Sequence, residues 1–179
     1  MKLALGSVAV GVVLTLLGVG TFQGAMHYTS TDAFCGESCH EMSIPAASLQ
    51  QTGHYRNVHG VSVGCADCHI PKEFGPKMLR KIEASREVWG HFTGLIDTPE
   101  KYAAHRPAMQ AREIARIRAN DSQECRNCHT VERMVLAEQS RAVQRYHRGM
   151  EQRGKTCIDC HTGMAHPEQP ELALQASAD

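Results

Sequence analysis

Cys65-Ala66-Asp67-Cys68-His69, Cys125-Arg126-Asn127-Cys128-His129 and Cys157-Ile158-Asp159-Cys160-His161 are three copies of one five-residue pattern. Two thiols with two residues between them stand about as far apart as the two vinyl groups of a porphyrin. The histidine that follows at once falls beneath the iron. C-x-x-C-H is therefore the attachment pattern of a c-type haem, with His69, His129 and His161 each supplying one axial nitrogen. A zinc ribbon also uses paired cysteines, but it does not require a histidine after every pair. An iron–sulfur cluster leaves the histidines without a role. A thioredoxin-like site needs a single C-x-x-C in a βαβ setting.

The remaining two of the 8 cysteines form a variant: Cys35-Gly36-Glu37-Ser38-Cys39-His40-Glu41-Met42. Here three residues separate the thiols, so one must loop out, and Gly36 makes that easier. A disulfide or a vestigial site is the alternative. Three regular neighbours favour a fourth haem. Its iron has two candidate ligands, His40 in the usual place and Met42 two residues on. A thioether would raise the potential relative to an imidazole.

There are 11 histidines, and those outside the motifs are candidates for the other face of each iron. His54, His147 and His166 are the best sixth ligands, and His105 follows. His59 and His91 stay open, and His27 is read as interfacial. His166 lies too close to His161 for the same iron and points to a neighbouring one.

The rest of the chain fits such a protein. Aromatic residues make up 5% of it, little for a self-filled core of this size, and haems supply the missing apolar volume. Lys plus Arg (19) balances Asp plus Glu (19), which argues against a nucleic-acid surface. Leu3–Phe22 (LALGSVAVGVVLTLLGVGTF) carries no charge. At about 1.5 Å per residue it spans roughly 30 Å of hydrocarbon. It exceeds the apolar core of a signal peptide and no A-x-A site follows, so it is read as an uncleaved anchor. Lys2 keeps the N-terminus cytoplasmic and sends the remainder outward.

The expected fold is mostly α with little regular structure. Residues 1–24 form the cytoplasmic tip and a single transmembrane helix. Residues 25–179 form a periplasmic tetrahaem cytochrome c domain on a bacterial inner membrane. The histidine spacing from His40 to His69 is close to that from His129 to His161, which suggests two dihaem modules, about 30–95 and 120–170. Helices are expected over Pro76–Gly90, from Thr98-Pro99 to Arg106, over Ala108–Ala119 and over Val131–Met150. Lys77, Arg80, Lys81 and Arg86 cluster after the second motif, with Glu83 and Glu87 on the same segment. They read either as a solvated face meeting haem propionates or as a quinol pocket with a carboxylate to take a proton.

The anchor, the first motif ending CHEM and the blocks CADCHIPKEFGPKMLRKIEASREVWG, IDTPEKYAAHR, DSQECRNCHT and KTCIDCHTGMAHP resemble the NapC/NirT family of membrane tetrahaem quinol dehydrogenases, and are similar also to its NrfH branch. The resemblance covers nearly the whole chain. It implies electron flow from quinol, menaquinol or ubiquinol, to a periplasmic reductase, with nitrate reductase as first choice. It implies Met42 as ligand of the haem nearest quinol, and Glu87 with Arg80 or Lys81 at the quinol site. It implies sixth ligands from His54, His147 and His166, and it puts His105 in a block shared with the nitrate-reductase branch. Two departures stand out: the three-residue spacing of the first motif, and Lys72 where relatives often carry histidine in CHxPH. The rival readings are an electron-transfer subunit without its own quinol site and a small multihaem nitrite reductase.

Overall fold

The computed structural model describes residues 2–167. Met1 and 168–179, the end of the expected haem domain, lie outside the described residues. Eight α-helices follow in order: α1 (Lys2–Tyr28), α2 (Asp32–Glu37), α3 (Ser43–Gln50), α4 (Cys65–His69), α5 (Phe74–Phe92), α6 (Pro99–Ala119), α7 (Gln123–Arg126) and α8 (Arg141–Arg148). Single 3₁₀ turns lie at His40–Met42, Val131–Arg133, Leu136–Glu138, Glu151–Arg153 and Cys157–Asp159. No strand occurs among the described residues. The fold is mostly α, as the sequence indicates.

α1 is long and apolar enough to cross a membrane from Ala4 to Tyr28, past the expected boundary at residue 24, and its large apolar side chains are exposed. Thr31 ends the connection by capping α2, its Oγ1 accepting from Phe34 N at 3.2 Å. Tyr28 meets Phe34 edge to face at 5.4 Å between ring centres. Lys81 of α5 donates to Thr29 Oγ1 at 2.8 Å, so the middle of α5 is tied to the end of the span.

Thr98 caps α6 and Pro99 opens it, both as expected. The expected break before Pro107 does not occur: α6 runs through it to Ala119. An internal proline costs roughly 3 kcal/mol, and the grip of α6 on its surroundings offsets that. Arg106 donates to the carbonyls of His166 and Pro167 at 3.2 and 3.1 Å. Glu113 accepts from His69, Arg116 donates to Cys68 O and Glu124, and Arg118 donates to Asp159. One helix thus holds the second, third and fourth motifs. Arg106, Glu113 and Arg116 recur at the spacing that puts them on a common face.

The helix expected over Val131–Met150 is corrected to two 3₁₀ turns and the short α8. Gln139 is extended there. Its side-chain Oε1 accepts from His147 Nδ1 at 2.7 Å and its carbonyl accepts from Gln144, which a helical Gln139 could not do together. In the first motif Cys35, Gly36 and Glu37 lie in α2, and the helix ends at Ser38 so that Cys39 is extended. The absent Cβ of Gly36 admits Ala46 of α3, which would stand 3.3 Å from it.

Leu49 and Met150 are the buried apolar side chains among the described residues. Two such residues cannot hold a domain of this length by side-chain packing. Polar links do the local work. Asp32 accepts from Cys65 N at 2.8 Å, a contact that leaves no room for a Cβ at Gly64. Asp121 and Ser122 are both left-handed (φ 57° and 54°). Ser122 is fully buried, and its Oγ accepts from Ile158 N at 3.2 Å, joining the third motif to the fourth. Ser122→Ala leaves that N–H unpaired. The expected loss is about 1–3 kcal/mol, seen as an earlier denaturation midpoint at unchanged haem content.

Candidate haem sites

Four pairs of histidine rings converge, each joining one motif histidine to one outside the motifs. The ring centres are 6.3 Å apart for His40 and His91, 6.2 Å for His54 and His129, 6.2 Å for His69 and His166, and 6.1 Å for His147 and His161. Metal–imidazole bonds measure about 2.0–2.1 Å, and a ring centre lies roughly 1.1 Å behind its nitrogen, so two imidazoles on opposite sides of one iron put their centres about 6.3 Å apart. The four separations fit that arrangement. The 8 cysteines are free thiols beside these pairs, so the donor set suits covalent haem with two histidine ligands.

Several rings are already oriented. His69 Nδ1 meets Glu113 Oε1 at 2.8 Å, His91 Nδ1 meets Glu41 Oε1 at 2.7 Å, and His147 Nδ1 meets Gln139 Oε1. An acceptor at Nδ1 leaves Nε2 with its lone pair for a metal. Burial first, then His69 and Arg106, pushes His166 down to about 4, so it is neutral at neutral pH. Its Nδ1 is buried without a hydrogen-bond partner. A neutral imidazole with an unused buried nitrogen is what a metal requires.

The pairs do not sort by half of the chain. His40–His91 lies in the first half and His147–His161 in the second, but His54–His129 and His69–His166 each cross between them. Adjacent sites are also close: Asp32, three residues before Cys35 of the first motif, accepts from the backbone N–H of Cys65 in the second at 2.8 Å.

Of the residues singled out from the sequence, His54, His147 and His166 each face a motif histidine. His105 does not; its Nδ1 meets the carbonyl of Lys101 in its own helix at 2.9 Å. Met42 is 39% exposed in the 3₁₀ turn after His40, and the ring facing His40 is His91. Arg80 and Glu87 come together at 3.1 Å, with the Arg80 side chain largely buried and its Nε without a partner. Lys81, one residue on, is engaged by Thr29. Lys72 is exposed. Glu41, Glu113, Arg116 and Gln139 had not been singled out. The one available signal was that a ligating histidine needs an acceptor for its second nitrogen.

A membrane-spanning helix leading into a helical scaffold of cysteine pairs and facing histidines defines a membrane-anchored multihaem c-type cytochrome, an electron-transfer protein. The chain belongs to the NapC/NirT cytochrome c family, whose N-terminal-region model matches residues 1–172. It is 46% identical to "Cytochrome c-type protein NapC" of Haemophilus influenzae, over 96% of this chain and 85% of that protein. It is 44% identical to "Denitrification system component NirT" of Stutzerimonas stutzeri, over 90% and 80%. A "Putative tetraheme cytochrome-c type" protein of Allochromatium vinosum is 42% identical over 94% and 90%. No solved structure matches.

Proposed function

We propose that this chain is a quinol dehydrogenase of the bacterial inner membrane, with four covalent haems in a periplasmic domain that delivers electrons to a terminal reductase. Each haem is attached at one cysteine pair and held between one of the four histidine pairs. Residues 25–179 act as a single unit, because two histidine pairs bridge the expected modules. The short cytoplasmic tip carries Lys2, and the remainder lies outside.

The observation that carries the quinol reading is the tie from Lys81 to Thr29, the residue after the apolar span. It sets α5, with the Arg80–Glu87 pair, at the membrane boundary, where a lipid-soluble quinol arrives. Quinol gives up two electrons and two protons. Haem iron, once bound, supplies one-electron chemistry at a potential tuned by its ligands and burial. The chain's own residues handle the rest. Arg80 supplies a positive charge beside the pair to attract a quinol oxygen, and Glu87 is 58% exposed, open to accept a proton and pass it to water. The relative named as a denitrification system component supports a nitrogen-oxide reductase as acceptor, and nitrate reductase is the first choice that the resemblance implies.

The test uses the purified full-length holoprotein in liposomes, without any reductase. Menaquinol or ubiquinol, added anaerobically, is expected to reduce the haems within seconds. If neither does while dithionite reduces all of them, the chain is a relay fed by another protein and the quinol site is lost from this reading. A nitrite reductase needs an open iron position, and a histidine on both faces of each iron argues against it. Nitrite turnover by the isolated protein would reverse that.

A further inference from the structure

The surroundings of His69 and His147 differ in one respect that neither the motif nor the family explains. His69 Nδ1 is bonded to a carboxylate and His147 Nδ1 to a neutral amide. The carboxylate is held firmly. Arg116 Nε and Nη2 both donate to the same Glu113 oxygen, at 3.0 and 2.7 Å. With His69 on the same oxygen, that carboxylate oxygen faces three N–H groups and is held as an acceptor. Arg116 does not neutralise the group alone, because its Nη1 is committed to Glu124 at 2.8 Å. Glu124 is in turn fixed by Asn120 at 2.8 and 3.0 Å. One guanidinium shared by two carboxylates leaves a net negative charge beside His69. Glu113 and Arg116 are largely buried and Glu124 almost wholly so, which limits screening by water.

We propose that Glu113 is a positioning residue that fixes the His69 imidazole and holds the haem of the second motif at a lower potential than the haem of the fourth, where the neutral Gln139 accepts from the facing ligand, His147. This rests on the reading that the His69–His166 and His147–His161 pairs each hold an iron. A carboxylate that accepts a ligand's N–H makes the imidazole a stronger electron donor. A stronger donor favours the ferric ion, so the potential falls. A neutral amide orients the ring but donates less. The consequence is a downhill step from the second motif to the fourth.

The experiment is a spectroelectrochemical titration of full-length Glu113→Gln holoprotein, with haem content and low-temperature EPR measured on the same sample. Glutamine keeps an acceptor and removes the charge. One of four potentials is expected to rise by a factor of about ten in the oxidised-to-reduced ratio, which is 59 mV for one electron. The other three stay in place and the EPR g-values of a single haem change. The converse variant, Gln139→Glu, is expected to lower one potential by a similar factor. Unchanged potentials in both variants, or a uniform shift of all four, overturn the proposal. Should Glu113→Gln fail to assemble, the Gln139→Glu titration decides alone. A haem count below four in the unsubstituted protein would instead sink the reading of the sites, so the two failures are distinguishable.

Discussion

If each cysteine pair carries a haem as proposed, replacing His54 with alanine is expected to turn one of the four from low-spin to high-spin, the one attached at Cys125 and Cys128. The rings of His54 and His129 face each other at 6.2 Å, although they belong to opposite halves of the chain. Removing one ring leaves an iron with a single strong ligand, which changes spin state and opens a position for small molecules. The magnitude is a quarter of the haem spectrum. Low-temperature EPR or magnetic circular dichroism reads it, and added imidazole should restore the low-spin signal. In a background with Cys125→Ser and Cys128→Ser, the same substitution should create no high-spin haem. A change at the haem of Cys65 and Cys68 instead would mean that the pairing follows sequence order.

The second large effect concerns the pair on α5. Glu87→Gln is expected to slow quinol oxidation by about 10²–10⁴-fold, the usual worth of a positioned proton acceptor. Reduction by dithionite should be untouched, because no haem ligand is altered. Arg80→Ala removes the partner that holds Glu87 at 3.1 Å and exposes the carboxylate further. It should raise the quinol concentration needed more than it lowers the maximal rate. Stopped-flow reduction of the haems, followed against pH and quinol concentration, separates these outcomes. Full activity in Glu87→Gln would remove the carboxylate from the proton path.

Parts of this molecule were legible in the sequence because the chemistry behind them is local. Porphyrin geometry fixes the spacing within Cys65–His69 and its two counterparts, so no folding information was needed to read them. The start of α6 was legible because Thr98 and Pro99 satisfy a helix N-terminus within a few residues. The apolar run showed the anchor, and the fold class followed from anchor and motifs together. Other features depend on distant partners. Pro107 looked like a helix end, yet α6 continues because Arg106 and Glu113 are held by residues far along the chain. The stretch after Val131 had helical composition, but Gln139 leaves the helix to reach His147. The facing of His40 by His91 had no local signature, since a histidine on an amphipathic helix looks the same whether or not a ring opposes it. The carboxylates at Glu41 and Glu113 were invisible for the same reason.

The crossing of His69 with His166 has a bearing on biogenesis. The first pair, His40 with His91, can close once the first half of the chain has been made. The second must wait until almost the whole chain has emerged. A premature stop shortly before His166 would therefore keep every cysteine pair and yet take away the ring that faces His69. A site whose thiols are made early is thus completed by a residue close to the other end of the chain.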